Sequence, residues 1–155
     1  MRESLPSQVA QLQEAGDERA VWLEIQTEKI LVLGVYAPQP GICPTIRVGF
    51  WKQRACELSS LRSLTRHNGW EVILIGDLNV HLDWLSLHDR RRATPADRAI
   101  EGILHQMGLR VVNQPDIATH ESGSILDMIA VTSGLMNHNG VQVDRELTSA
   151  IRSDH

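Results

Sequence analysis

Apolar positions along this chain follow two rhythms, one alternating or unbroken and one recurring every three or four residues. Ala20-Val-Trp-Leu-Glu-Ile25 and Lys29-Ile-Leu-Val-Leu-Gly-Val-Tyr36 are β-type runs parted by the polar Gln26-Thr-Glu28, which predicts a hairpin. The second run is nearly continuously apolar, as expected of a central strand buried on both faces. It ends at Ala37-Pro38, and Pro40, Gly41 and Pro44 form a loop that cannot continue a ladder. From 47 to 66 the rhythm changes. Val48, Trp51, Ala55, Leu58, Leu61 and Leu64 predict an amphipathic helix, with Arg47, Lys52, Arg54, Glu57 and Arg62 on its exposed side. His67-Asn-Gly69 should stop it, glycine being the usual left-handed residue past a helix end.

A strand follows over Glu71 to Ile75 and runs into Gly76-Asp77-Leu78-Asn79. Thr94-Pro95-Ala-Asp97 reads as a helix start, with threonine as cap and proline in the first turn. Ile100, Leu104 and Met107 supply its buried stripe, and Gly108 closes it. Leu109 to Asn113 predicts a short strand. Ser124 to Val131 predicts another, interrupted by Asp127, and Val141 to Leu147 a last weak one. Residues 1–19 are a polar lead-in in which Gln8 to Gln13 reads as helical. Strands alternating with helices imply an α/β layered fold.

Composition narrows this picture. With 155 residues, 42% of them hydrophobic and 22% charged, the chain is one domain able to bury a core. No uninterrupted apolar window approaches the roughly 18 residues of a membrane span. Met1-Arg-Glu-Ser-Leu-Pro6 lacks the apolar core of a secretory signal. Cys43 and Cys56 have no metal-type spacing and read as a reduced intracellular pair. The net charge of −4 does not advertise a nucleic-acid partner. Two features offset it. The cations are nearly all arginine, which suits bidentate phosphate contacts, and acids gathered around a metal lower net charge without describing the rest of the surface.

Phosphodiester hydrolysis needs an oriented water, neutralisation of developing charge and a stabilised leaving oxygen, which carboxylate and amide oxygens with a divalent metal supply. Asp77 and Asn79, two apart after a buried strand, fit that need, although both are also ordinary turn formers. Tyr36 could equally be a strand-end tyrosine packed beside Pro38. Asp127, if buried among apolar neighbours, needs a partner. Asp154 and His155 could be a solvated tail. His81 and Asp83 read as loop decoration rather than metal ligands. Arg90, Arg91 and Arg92 suit either a DNA backbone or solvent. The four tryptophans read mostly as packing residues rather than a base-stacking platform.

Four motifs nevertheless stand in one order: Val35-Tyr36-Ala37-Pro38, Gly76-Asp77-Leu78-Asn79, Ser124-Ile-Leu-Asp127-Met-Ile129 and Ser153-Asp154-His155. In them the chain resembles the endonuclease/exonuclease/phosphatase superfamily, especially the apurinic-type endonuclease domains of non-LTR retrotransposons, over roughly residues 20 to 155. The resemblance implies a two-sheet β-sandwich flanked by helices, Mg²⁺ or Mn²⁺ as cofactor, DNA as partner, a nuclear setting and a larger parent polypeptide. It implies that Asp77 activates or orients the attacking water, with Asn79 holding water and phosphate. Tyr36 and His155 would face the phosphate, and Asp127 would hold the His155 imidazole. Asp154, with Asp77 and Asn79, would serve the metal. His120 and Ser122 fall in a segment that faces substrate in the relatives.

The pattern also departs from the superfamily. An Asn and a Gln-Glu, which the relatives carry on earlier strands as phosphate and metal ligands, lack clear counterparts. Leu12-Gln13-Glu14 resembles the second only superficially, because the hairpin over 20–36 fills nearly all the space before Tyr36. The expectation is an N-terminally truncated domain, either a metal-dependent DNA-nicking endonuclease or a non-catalytic remnant of one. A relative acting on another phosphoester is a third, weaker reading.

Overall fold

The structure, a computed structural model, describes residues 9–14, 19–86, 91–115, 117, 119, 125 and 127–136. Strands β1 (Val9–Glu14), β2 (Ala20–Ile25) and β3 (Ile30–Tyr36) are followed by helix α1 (Pro44–Ser63) and strand β4 (Glu71–Asp77). Helix α2 (Pro95–Gln106) and strands β5 (Arg110–Val111) and β6 (Asp127–Val131) complete the regular elements. They form one mixed sheet in the order β1-β2-β3-β4-β6-β5. Only β3 and β4 run parallel, joined by the crossover through α1. The α/β layered class is therefore as expected, with one sheet of the expected sandwich present among the described residues.

The hairpin β2–β3 forms where the alternation predicts it, with Ala20 opposite Val35 and Ile25 opposite Ile30. The lead-in departs from expectation. Val9–Glu14 is not helical but an edge strand paired antiparallel to β2, Glu14 lying opposite Val21. A six-residue stretch is too short to hold a helix by propensity alone, so the open edge of β2 decides its conformation.

The expectation for β3 also needs correction. Its positions alternate between buried and half-buried rather than being buried throughout. Leu31, Leu33, Val72 and Leu74 are fully buried on one face, in a core shared with Trp51, Leu58, Ile100 and Leu104 of the two helices. The opposite face carries Val32, Ile73 and Ile129 half-buried and Ile75 45% exposed.

Helix α1 starts on Pro44, whose missing N–H costs nothing in a first turn, and ends at Ser63. Its end is earlier than predicted: Leu64 is extended and 44% exposed, and a 3₁₀ turn over Thr65–His67 follows. Gly69, at φ +76°, closes that turn rather than the helix. The buried stripe is also rotated from the predicted one. It comprises Arg47, Phe50, Trp51, Arg54, Leu58 and Leu61, so two residues expected on the exposed side point inward. Trp22 and Trp51 are core residues as read, whereas Trp84 is 43% exposed and donates to Glu101 (3.0 Å). Cys43 and Cys56 are exposed free thiols. The weak strand expected over 141–147 lies outside the described residues. No described helix is long and apolar enough to cross a membrane.

Candidate active site

Strand register assembles three of the expected site residues. Tyr36 is the β3 partner of Asp77 on β4, and Asp77 is the β4 partner of Asp127 on β6. Cross-strand partners project to the same side of a sheet, with strands about 4.8 Å apart. Tyr36, Asp77 and Asp127 thus form a row across three strands, on the rim of the face away from the helices. Tyr36 is 42% exposed, and its hydroxyl accepts from the Gln39 amide (3.3 Å). It is not buried against Pro38. Asp77 is half-buried and Asp127 exposed, so the buried, partner-seeking carboxylate considered for Asp127 is not what the fold produces. The Asp127 backbone N–H donates to the Thr119 hydroxyl (3.0 Å), and its carbonyl accepts from Asn113 (3.0 Å). Those bonds pin the start of β6 and leave the carboxylate facing out.

The turn after β4 has a backbone that its residue types explain. Gly76 sits at φ +138°, and a Cβ there would meet the Val35 carbonyl oxygen at 2.0 Å. Only glycine lets β3 approach this closely while the chain swings Asp77 to the rim. Asn79 adopts φ +47°, the left-handed region that asparagine tolerates better than most residues. Its N–H donates to Asp77 Oδ1 (3.0 Å), an Asx-type bond that fixes the carboxylate. Its side-chain Nδ2 donates to the Ala37 carbonyl (2.8 Å), so the carboxamide oxygen is the end turned away from Ala37. The end of β3 and the turn after β4 are tied again by Ala37 N–H donating to the Asp77 carbonyl (2.8 Å).

Sequence reasoning missed what lies beneath this turn. Arg47 Nη2, inside the stripe of α1, donates to the Asn79 carbonyl (2.7 Å) and to Asp97 Oδ1 (2.8 Å). Asp97 belongs to the first turn of α2, where Thr94 and Asp97 form a reciprocal capping box. Asp97 Oδ2 accepts from both the Thr94 N–H (2.9 Å) and hydroxyl (2.7 Å). Burial works to raise the Asp97 pKa, but the Thr94 hydroxyl, the Arg47 guanidinium and the Thr94 N–H together hold it below the usual carboxylate value. Two signals pointed here: Arg47 is in phase with Trp51, Arg54, Leu58 and Leu61, and Thr-x-x-Asp is a capping pattern. A cavity of about 270 Å³ opens beside this network, lined in part by Arg47, Asn79, His81, Arg91, Arg92 and Thr94.

The remaining candidates fall as follows. His81 Nε2 lies 3.6 Å from Asp83 Oδ1, and that carboxylate accepts from the Ala93 N–H (2.8 Å), closing the loop before α2. These contacts give the pair a loop-forming role. Arg91 and Arg92 are exposed at the cavity mouth. Arg90, His120, Ser122, Asp154 and His155 lie outside the described residues, and the Glu14 side chain is likewise not described.

The Asp77 carboxylate and the Asn79 carboxamide oxygen, set together by the turn, are the hard oxygen donors that a divalent cation prefers. Among the described residues, no group of three His, Cys, Asp or Glu converges to hold a metal. Any further acidic ligand must come from elsewhere, as Asp154 would under the resemblance.

Residues 30–155 match a family described as endonuclease-reverse transcriptase. Among solved structures, the chain is similar to the endonuclease domain of TRAS1, a telomere-specific non-LTR retrotransposon, at 21% identity and a TM-score of 0.63. That match covers 95% of this chain and 63% of the other, so this chain spans less than two thirds of that domain. It is also similar to the 3′ phosphatase NExo from Neisseria bound to a product DNA hairpin, at 19% identity and a TM-score of 0.63, covering 98% and 69% of the two chains. A third similarity is to the 3′-5′ exonuclease NExo of Neisseria meningitidis, at 18% identity and a TM-score of 0.58, covering 92% and 65%. At these identities the structural likeness speaks for the fold. No curated protein matches the chain.

Proposed function

This chain belongs to the endonuclease-reverse transcriptase family, and from that premise we propose that it is a Mg²⁺- or Mn²⁺-dependent phosphodiesterase domain that nicks DNA. The observation that carries the proposal is the row Tyr36–Asp77–Asp127, set against a turn that fixes the Asp77 carboxylate. The structural relatives named above include a retrotransposon endonuclease domain, a 3′-5′ exonuclease and a 3′ phosphatase bound to a product DNA hairpin, which supports DNA as substrate.

In this reading Asp77 orients and deprotonates the attacking water, its carboxylate aimed by the Asn79 N–H. The Asn79 carboxamide oxygen, turned away from Ala37, holds that water or the cation. The exposed Tyr36 hydroxyl hydrogen-bonds a phosphate oxygen. Asp127 orients the His155 imidazole, which contacts the scissile phosphate, and Asp154 adds a carboxylate to the metal. A bound divalent cation would supply charge neutralisation at the phosphate. Arg91 and Arg92, which line the cavity, contact flanking backbone phosphates, and Arg90, His120 and Ser122 are further candidates for substrate contact. By the resemblance to retrotransposon endonuclease domains, the same reading gives a nuclear setting within a larger retroelement polypeptide.

The alternative reading is a non-catalytic remnant of such a domain. Supercoiled plasmid incubated with the chain separates the two. Nicking that requires Mg²⁺, stops with chelator and falls by about 100-fold or more in Asp77→Ala supports the enzyme. A plasmid left supercoiled by the folded chain, or nicking that survives in Asp77→Ala, refutes the catalytic reading.

A further inference from the structure

We infer that Arg47, with Asp97 as its counter-ion, is a positioning residue for the Asp77–Asn79 turn. The inference rests on the function proposed above but has a readout of its own. The turn is held by bonds of two kinds. The Asn79 N–H and carboxamide bond to Asp77 and Ala37, within the rim of the sheet. The Asn79 carbonyl bonds instead to Arg47, and that is a link between the turn and the helical layer. Asn79 is in the left-handed region, which even asparagine holds best when its surroundings fix it. With the carbonyl released, the peptide planes around Asn79 are free to rotate. The N–H that aims the Asp77 carboxylate turns with them.

Stability alone does not explain Arg47. Its side chain and that of Asp97 are only 4% and 5% exposed, and a buried ion pair is often no more stable than apolar residues of equal volume. One nitrogen, Nη2, makes both bonds, to the turn and to α2. Asp97 is in turn fixed by the two Thr94 donors, so the anchor is rigid from the α2 side. Arg54, 0% exposed on the same stripe, offers the contrast. Its bonds go to Glu57 on its own helix, and its cation lies over Phe50.

The test is the double variant Arg47→Met/Asp97→Asn, which removes both charges, fills the space and leaves an oxygen to accept from Thr94. Arg54→Met is the control. NMR of the folded protein reads the Asn79 amide and Cα/Cβ shifts, which report its left-handed backbone. Nicking kinetics read the chemistry. Positioning predicts displaced Asn79 resonances in the double variant, with kcat falling about 100-fold while KM holds. It predicts neither effect in Arg54→Met. Unchanged Asn79 resonances, or an unchanged kcat where the parent nicks, overturn the inference. If the parent chain does not nick, the proposed activity fails while the NMR arm alone decides this one. Should the double variant not fold, Arg47→Lys, which keeps the charge but loses the planar fork, is read against the same resonances.

Discussion

Gly76 is where backbone and chemistry meet most tightly. Any side chain there would meet the Val35 carbonyl and be held at an unfavourable φ. Gly76→Ala is therefore expected to cost at least about 2 kcal/mol, from strain and a lost β3–β4 approach; urea denaturation measures it. A change under about 0.5 kcal/mol would mean that the approach relaxes cheaply. The cluster Gly76-Asp77-Leu78-Asn79 was legible in the sequence because small, polar and apolar types alternate at an abrupt strand end. Arg47 was not. A charge at a helical position is ordinarily solvated, and nothing local records that a carbonyl 32 positions away waits to receive it. Asp127 was legible as a site candidate but not in its exposure, since Thr119 and Asn113 set the start of β6 through their side chains.

Helix α2 shows how a local sequence rule acquires a distant duty. Its capping box is written in Thr94-Pro95-Ala-Asp97, and the structure reproduces it. Thr94→Ala should cost about 1 kcal/mol by the usual worth of such a cap. The Asp97 carboxyl has a folded pKa below its unfolded value, near 3.9, so its stabilising contribution is complete above that pH. The contribution is lost as pH falls through the folded value. Denaturant titrations at pH 7 and pH 3 should therefore show the parent's advantage over Asp97→Asn shrinking at the lower pH. An advantage that grew on acidification would contradict the pairing with Arg47. Helix α1 was legible in type, and its frame was misread by one step. Counting only apolar residues drops Arg47 and Arg54 from a stripe that they help to form. The β1 segment was not legible at all, because an edge strand takes its conformation from its neighbour.

The two faces of the sheet divide the labour of the molecule. One carries the helices and the core; the other carries the site at its rim. Leu74→Ala on the core face should destabilise by about 2–5 kcal/mol, whereas Ile75→Thr on the other face, already 45% exposed, should cost less than about 1 kcal/mol. Equal losses in thermal melts would show that both faces are equally covered. Hydrophobic alternation announced β2, β3, β4, β6 and the two helices, while the burial of each face depends on what packs there and is not encoded strand by strand. The register row Tyr36–Asp77–Asp127 carries a last consequence. Its members sit on three segments far apart along the chain, and they become neighbours only after the parallel β3–β4 pair and the β4–β6 pair have both closed. Such non-local closures are the slow part of folding, because loop entropy is spent before contacts repay it. The row has no half-built form: a collapsed intermediate with its helices in place would still lack it. Recovery of the proposed nicking activity during refolding should then lag helix formation and coincide with the last cooperative step, so activity would report the finished sheet.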